Sequence, residues 1–291
     1  MFNTNAWKEV NYRSNRPDAK RKSLGWIPFK KSAIKYLSTR QTGKKVLRST
    51  LQLSLSKGQK LLIDVFDSYN LSLYQINTLE IVQDSRNRWY ACITVKDFPK
   101  QVSGSGSVGI DLGLKESATT SNGVKLTIKQ TQKWAKKLAT AQRANNKERV
   151  KAIHAKIKNS RLDAIHKFTT KLVKDNSLIV VGDVKSRSFT TRKTKLAKST
   201  YDAGWFELKR QLEYKCKYAG CQFEMVNESY TTQTCSCCRK ISDSSPKGRA
   251  GLGIRGWTCA ECGTWHNRDT NAAKNILAVG LDRLAVGIPS V

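Results

Sequence analysis

The chain has 291 residues, and its 53 Lys or Arg against 22 Asp or Glu give a formal net charge of +31 at pH 7. An excess of this size favours a polyanionic partner, because cations that neutralise a phosphate backbone release its counterions. No run approaches the ~20 apolar residues of a membrane span, and the N-terminus lacks a charged-then-apolar signal pattern. We therefore expect a cytoplasmic protein whose eight cysteines form no disulfide framework.

Residues 1–107 are basic and carry the patterns of β-strands. Leu51, Leu53 and Leu55 alternate with polar residues, as in a half-buried strand. Two further runs are typical of strands, 61–66 and 89–95. These features predict a β-rich domain, a small barrel or an open sheet, which ends at the Ser/Gly run 103–107.

After this boundary the pattern changes from strands alone to strands and helices. The segment 108–114 predicts a short strand with one embedded acid, and Asn122-Gly123 predicts the turn of a hairpin. Residues 129–174 contain 14 Lys or Arg and two acids, with apolar residues at helical spacing. We interpret the apolar face as core packing and the cationic face as a nucleic-acid contact. Later elements are a strand at 178–181, a loop at 186–200, a helix at 202–219, a strand at 222–226 and a helix at 270–277.

Two Cys-x2-Cys pairs, Cys235/Cys238 and Cys259/Cys262, are separated by 20 residues. Each pair forms a tight turn that directs two thiolates at one ion, and two such turns complete a tetrahedral Zn²⁺ site. Because all four ligands come from the protein, we expect a structural zinc ribbon. The intervening residues are too polar to fold without the metal. His266 lies close enough in sequence to compete as a ligand, although four thiolates already complete the site.

The strand 108–114 carries its acid, Asp111, in the sequence GIDLG. A nuclease with an RNase H-like core needs three or four carboxylates around one or two Mg²⁺ ions, which activate water and stabilise the leaving oxygen. The first acid of that fold lies in the central strand, as Asp111 would, and the last lies at the start of the final helix, as Asp269 would. The glycines of GIDLG would let a phosphate backbone approach. Asp269 has the N-cap of its helix as an alternative role.

The middle acid is absent from its usual position at the end of the fourth strand. The run 178–181 is followed by Gly182, which cannot bind a metal, and then by Asp183, whose side chain should point to the opposite face. Glu228 follows the next strand, which in a 3-2-1-4-5 sheet lies parallel at about 5 Å. The empty position at Gly182 leaves room for its side chain. Glu228 is therefore the preferred candidate, Asp183 the alternative and Glu207 the third choice.

The order of these motifs resembles the OrfB/TnpB proteins of bacterial insertion sequences and their relatives, the type V CRISPR effector nucleases. The resemblance covers residues 108–280 and is carried by GIDLG, KNSRLDAIHKFTTKL, LIVVGDV, LEYK, YTTQTCSCC, TCAECG and NRDTNAAKNI. A weaker resemblance, over GWIPFK and the strands to residue 98, is to the wedge domain of that family, a β-barrel that grips guide RNA.

The resemblance implies an RNA-guided DNA endonuclease with a single Mg²⁺-dependent RuvC site. Asp111, Glu228 and Asp269 would be its catalytic and magnesium-binding residues, since family members without the strand-four Glu have a rearranged site. A guide RNA held on basic surfaces would supply specificity by pairing with target DNA. Such a protein would be bacterial and nucleoid-associated.

Four segments are therefore predicted: a wedge-like nucleic-acid-binding domain at 1–107, the first part of a RuvC-like core at 108–234, the zinc ribbon at 235–262, and the final helix and tail of the core at 263–291. The helical recognition domain of the family is not evident, so a homodimer or a partner protein would complete the grip on nucleic acid. Asn267 also replaces an acid that is common in the family.

Two other functions stay open at this point. Loss of the strand-four Glu favours a nuclease-dead, RNA-guided DNA-binding protein such as a repressor, whereas the retained Asp111, Glu228 and Asp269 favour cutting. The third interpretation is a DNA-binding accessory protein of transposition that cleaves nothing.

Overall fold

Two units divide the chain, Met1–Pro99 and Lys100–Val291. Within them the computed structural model describes residues 26–42, 46–56, 58–96, 102–184, 196–248 and 250–286. In these ranges no helix combines the length and the apolar character needed to cross a membrane.

The described part of the first unit contains two three-stranded antiparallel sheets. One sheet has the order β1-β5-β6, with β1 (Trp26–Lys30), β5 (Gln75–Gln83) and β6 (Trp89–Lys96). The other has the order β2-β3-β4, with β2 (Ile34–Thr42), β3 (Val46–Ser56) and β4 (Gln59–Asp67). Alternation places every second side chain on one face, and Leu51 and Leu53 are fully buried in a core that both sheets share. The predicted β-rich character of this unit is confirmed.

A five-stranded mixed sheet organises the second unit. Its strands are β7 (Gly106–Asp111), β8 (Ala118–Thr120), β9 (Lys125–Leu126), β10 (Asn176–Gly182) and β11 (Gln222–Val226), in the order β11-β10-β7-β8-β9. The strands β7, β10 and β11 are parallel, whereas β8 and β9 pair antiparallel with their neighbours. This is the 3-2-1-4-5 order predicted from the sequence.

The described part of this unit contains five α-helices: α1 (Gln130–Arg143), α2 (Lys147–Asp175), α3 (Ala197–Ala203), α4 (Trp205–Ala219) and α5 (Arg268–Ala285). The basic region forms two helices because Asn146 starts α2, accepting a hydrogen bond from the backbone N–H of Arg149 at 2.9 Å. The helix predicted at 202–219 is divided at Gly204, whose φ of +69° ends one helix before the next begins. Residues 186–195 of the loop predicted at 186–200 lie outside the described residues, and the prediction is wrong for 197–200, which belong to α3.

The central strand β10 is apolar on both faces because helices cover both sides of the sheet. Ile179 and Val181 belong to the core that α2 and α4 complete, whereas Leu178 and Val180 pack with Ile276 of α5. Such two-sided burial is typical of parallel strands between helical layers.

Helix α5 lies unusually close to the sheet. A Cβ atom at Gly109 would stand 2.1 Å from the carbonyl oxygen of Ala273, and one at Gly280 would stand 2.5 Å from Cγ2 of Val180. Small side chains permit this approach, since Ala272 and Ala273 are fully buried together with Ile276. The predicted role of Gly109 in admitting a phosphate backbone is corrected, because this glycine faces the helix.

Two boundaries in the structure differ from the predicted ones, and a glycine in close contact with a neighbouring element lies at each. The Ser/Gly run 103–107 lies within the second unit, since β7 begins at Gly106 and a Cβ at Gly104 would stand 2.3 Å from the carbonyl carbon of Asp175. The final helix runs eight residues beyond the predicted end at 277, because Gly280 provides the space for contact with β10.

Candidate active site and metal centre

The first candidate acid, Asp111, is the last residue of β7, the middle strand of the sheet. The chain leaves the sheet directly after it, and the indole N–H of Trp205 donates a hydrogen bond to the carbonyl of Gly113 at 3.2 Å. This bond ties the segment after Asp111 to the start of α4. The backbone is therefore held on both sides of Asp111, by the sheet before it and by Trp205 after it.

The second candidate, Glu228, follows the end of β11 and fills the space beside Gly182. Gly182 ends β10 and pairs in register with Val226 of β11. A Cβ at Gly182 would stand 3.1 Å from Oε2 of Glu228 and 3.4 Å from its Cβ. The carboxylate predicted to cross from strand five therefore lies where a side chain from strand four would begin.

The third candidate, Asp269, lies in the first turn of α5. The N-cap of this helix is Asn267, whose side chain accepts a hydrogen bond from the backbone N–H of Thr270 at 3.2 Å. The alternative role of Asp269 as the N-cap is therefore wrong, and its carboxylate is available to the cleft. Arg255 lies beside it, with Nη1 at 3.3 Å from Oδ1.

All three carboxylates line one cleft of about 460 Å³ in the second unit. Burial raises the pKa of Asp111 well above its usual value, and the charges of Asp269 and Glu228 raise it further. Arg268 acts in the opposite direction. Burial also raises the pKa of Glu228, with a further contribution from the charge of Asp183. The acids are thus close enough to repel one another in a partly desolvated site.

This arrangement suits divalent cations with oxygen ligands. Mg²⁺ binds carboxylates and keeps several of its waters, which a cleft of this size accommodates. The mutual repulsion that raises the pKa of Asp111 is the interaction that a divalent cation relieves. The residues present therefore fit the predicted Mg²⁺ site.

The two other acids considered from the sequence lie outside the residues that line the cleft. Asp183 forms an ion pair with Lys209 at 3.0 Å, and 45% of its side chain is exposed. Glu207 accepts hydrogen bonds from the guanidinium of Arg210 at 2.8 and 2.9 Å and from Gln211 at 2.8 Å. Both carboxylates are therefore engaged by side chains of α4.

The four predicted zinc ligands come together as expected. Their Sγ atoms all lie within 4.8 Å of one another, and they are the one set of three or more potential ligand side chains to do so in the described ranges. Cys235 and Cys262 are 3.6 Å apart, and Cys238 and Cys259 are 3.7 Å apart. A tetrahedral ion with Zn–S bonds of about 2.3 Å needs sulfurs about 3.8 Å apart. The cysteines therefore fit Zn²⁺.

His266 supports this cluster without completing it. Its Nε2 lies 3.0 Å from Sγ of Cys235, and its ring is 5.0 Å from the ring of Trp257. An N–H at Nε2 would donate a hydrogen bond to the cysteine sulfur, as second partners of metal ligands commonly do. Histidine is thus a neighbour of the four-thiolate set.

Two buried amides that join the cysteine cluster to the cleft were not predicted from the sequence. Asn275 donates to the carbonyl oxygens of Thr231 and Thr234 at 2.8 and 2.6 Å. Asn271 donates to Thr234 at 2.7 Å and accepts from the backbone N–H of Ser236 at 2.8 Å. The segment between Glu228 and the first cysteine pair is therefore bound along its length to α5.

Two arginines of the cleft were also missed. Arg255 and Arg268 line it, and the backbone N–H of Arg268 donates to the carbonyl of Arg255 at 2.8 Å. This contact lies next to the antiparallel pair β12 (Gly256–Thr258) and β13 (Trp265–Asn267), one residue beyond the pairing of Gly256 with Asn267. Arg268 could have been predicted, because it directly precedes Asp269 in the sequence. Arg255 could not, because only the pairing of β12 with β13 brings it to the cleft.

The second unit is thus a mixed α/β core with the strand order of an RNase H-like fold, joined to a four-cysteine metal module. Two family models match the chain, one described as a probable transposase (OrfB, IS605) over residues 90–193 and one described as the Cas12f1-like TNB domain over residues 205–276. The predicted resemblance to the OrfB/TnpB proteins and to type V effectors is therefore confirmed.

Two curated relatives carry the name "Putative RNA-guided DNA endonuclease". The one from Streptomyces pristinaespiralis is 34% identical over 225 residues, which are 72% of this chain and 54% of the relative. The one from Escherichia coli K12, InsQ, is 33% identical over 235 residues, which are 71% of this chain and 57% of the relative. The chain thus spans about half the length of these relatives.

A solved structure, "Cryo-EM structure of the Cas12f1-sgRNA-target DNA complex", matches with a TM-score of 0.58 at 15% sequence identity. The match covers 92% of this chain and 67% of that chain. At this identity the match shows a shared fold.

Proposed function

We propose that the protein is an RNA-guided DNA endonuclease of the TnpB type that hydrolyses phosphodiester bonds at a single Mg²⁺-dependent site. The observation that carries this proposal is the meeting of Asp111, Glu228 and Asp269, which are far apart in the chain, in one cleft. The names of the curated relatives support the same reaction.

Asp111, Glu228 and Asp269 would hold the divalent ions, and each would give up any bound proton on doing so, since a metal ligand must be deprotonated. Bound Mg²⁺ supplies an activated water and stabilises the leaving oxygen. Arg255 and Arg268 place positive charge beside the carboxylates, where the phosphate of the substrate would lie. The chain itself would thus contribute ligands, charge and a partly dry cleft.

Guide RNA and target DNA are the proposed partners. The helices α1 and α2 present a strongly basic surface, on which Lys137 and Lys156 lie 5.2 and 5.1 Å from the ring of Trp134. The first unit would be the wedge-type barrel that grips RNA, and a homodimer or partner protein would extend the bound surface. The site of action would be the bacterial nucleoid. The choice of RNA and DNA as partners is supported by a similar solved structure, which is a complex with sgRNA and target DNA.

The first test asks whether the protein binds a discrete RNA and cuts DNA. Expressed from its native locus, the protein should co-purify with a discrete RNA and cut a DNA library when Mg²⁺ is added. Asp111→Ala should lose all cutting. RNA-dependent binding without cutting in the wild type would favour the nuclease-dead repressor, which the missing strand-four carboxylate at Gly182 supports. Binding without any retained RNA would favour the transposition accessory protein.

A second test distinguishes Glu228 from Asp183. Glu228→Gln should abolish cutting and spare DNA binding, because it removes one metal-binding charge and no phosphate contact. Asp183→Asn is the matched control and should cut normally, since its carboxylate is paired with Lys209. Full cutting by Glu228→Gln would return the role to Asp183.

A third test moves the carboxylate between strands. Gly182→Glu in a Glu228→Ala background places an acid on strand four, and the vacated space begins 3.1 Å from the new Cβ. Cutting should recover in part relative to Glu228→Ala alone. If cutting does not recover while folding and zinc content are intact, a carboxylate at position 182 cannot replace one at position 228.

A further inference from the structure

Tyr230 stands out in the short segment that leads from Glu228 to the first cysteine pair. It lies between Glu228 and the threonines Thr231 and Thr232, all three of which line the cleft. Its own side chain is 66% exposed. A large aromatic ring is therefore exposed to solvent on a segment whose neighbouring residues line the cleft, while Tyr230 itself is not one of the lining residues.

The backbone of Tyr230 has a φ of +64°. A side chain with a Cβ rarely adopts this left-handed conformation, and bulky residues do so least often. The conformation is held by three hydrogen bonds to the carbonyl of Tyr230, from the N–H groups of Gln233 and Thr234 at 2.9 Å each and from Oγ1 of Thr234 at 3.0 Å. Strain held by surrounding contacts is frequent where a side chain must be presented to a ligand.

The frame behind the ring is fixed as well. Asn275 binds the carbonyls of Thr231 and Thr234, and it is itself buried on α5. The ring is thus mounted on a rigid turn, so a ligand that stacks on it does not have to order the turn first.

We propose that Tyr230 is a stacking platform for a base of single-stranded DNA, and that it positions the strand at the edge of the cleft. Every nucleobase offers a flat face, and stacking on an exposed aromatic ring is the usual way in which proteins hold single strands without reading their sequence. The net charge of +31 favours this polyanion over a protein partner. The inference rests on the proposed function for the identity of the strand, and it adds a positioning residue to that site.

The test uses the full-length protein carrying Glu228→Gln, so that binding is measured in Mg²⁺ without cutting. The probe is a single-stranded oligonucleotide with 2-aminopurine at successive positions. One position should be quenched on binding, and Tyr230→Phe should preserve both the quenching and the affinity. Tyr230→Ala should remove the quenching and weaken binding roughly tenfold, within the range known for one base–aromatic stack.

Tyr230→Asn controls for the backbone, because Asn tolerates a positive φ but lacks the ring. It should bind as weakly as Tyr230→Ala while zinc content stays at one equivalent. An abasic site at the quenched position should weaken binding to the Tyr230 protein by the same factor, and should have no effect on Tyr230→Ala.

The inference would be overturned if Tyr230→Ala left both quenching and affinity unchanged in the Glu228→Gln background. This holds even if the protein without the Glu228→Gln substitution cuts DNA. Loss of binding in Tyr230→Ala that the abasic probe does not reproduce would also overturn it, because the ring would then not act through a base. Stacking without any cutting by the protein with Glu228 would refute the endonuclease and leave the platform standing.

Discussion

Gly109→Ala tests whether the close approach of α5 to the sheet sets the position of Asp269 relative to Asp111. The new Cβ would lie 2.1 Å from the carbonyl oxygen of Ala273 and 2.7 Å from the backbone nitrogen of Leu277. Both obstacles are backbone atoms, so a rotamer change cannot relieve them, and the helix must move away by about 1 Å. A misplacement of that size can cost about 10²-fold in rate, and overpacking of a core costs about 1–3 kcal/mol.

The assays are single-turnover DNA cleavage and guanidinium unfolding. Gly109→Ala should cut about 10²-fold more slowly and unfold at lower denaturant concentration. The matched control is Gly253→Ala in the ribbon, where a Cβ meets nothing within 4 Å, and it should behave as the wild type. Indistinguishable cleavage rates and unfolding midpoints for the two variants would refute the steric argument.

Three further outcomes are expected. Because its pKa is raised, Asp111 holds a proton in the folded protein at pH values where the unfolded chain has lost it, so the free energy of unfolding without Mg²⁺ falls as pH rises through that window. Asp111→Asn should therefore be more stable than the wild type at neutral pH. An equal melting temperature for the two proteins would contradict this. The charge of Lys209 lowers the pKa of Glu228. Lys209→Met should therefore require a higher pH for half-maximal Mn²⁺ binding, measured by electron paramagnetic resonance. An unchanged pH of half-maximal binding would exclude an effect of Lys209 on Glu228. A zinc-selective chelator should expose 235–262 to protease and weaken Mn²⁺ binding. Asn275→Ala should do the same, because it leaves Asn271 as the one amide donor to the carbonyls of Thr231 and Thr234, and each lost hydrogen bond costs about 1 kcal/mol. Unchanged Mn²⁺ binding would show that the ribbon and the cleft are independent.

Local patterns were sufficient for the parts of this molecule that depend on short stretches of chain. The cysteine spacing predicted a cluster that forms, and the run before Gly182 predicted a strand whose empty end accommodates Glu228. The strand order followed from recognising Asp111 as part of a central strand.

The features that were missed depend on contacts between distant residues. Asn271 and Asn275 look like ordinary polar positions of a helix, and their buried bonds to residues 231–236 exist only after the ribbon folds back on α5. The helix extension past residue 277 and the true role of Gly109 likewise depend on what lies opposite each glycine. A sequence pattern gives the face of an element, whereas the partner of that face comes from the tertiary fold.

The ribbon lies between two of the three acids, and the same length of chain connects it to each of them. Glu228 lies seven residues before Cys235, and Asp269 lies seven residues after Cys262. A zinc ion bound by the four cysteines would close a loop whose two ends carry the proposed magnesium ligands, and the amides of α5 hold one of those ends. Loss of zinc would then loosen the proposed magnesium site. The span between the two cysteine pairs should tolerate inserted sequence, while the two seven-residue connections should not.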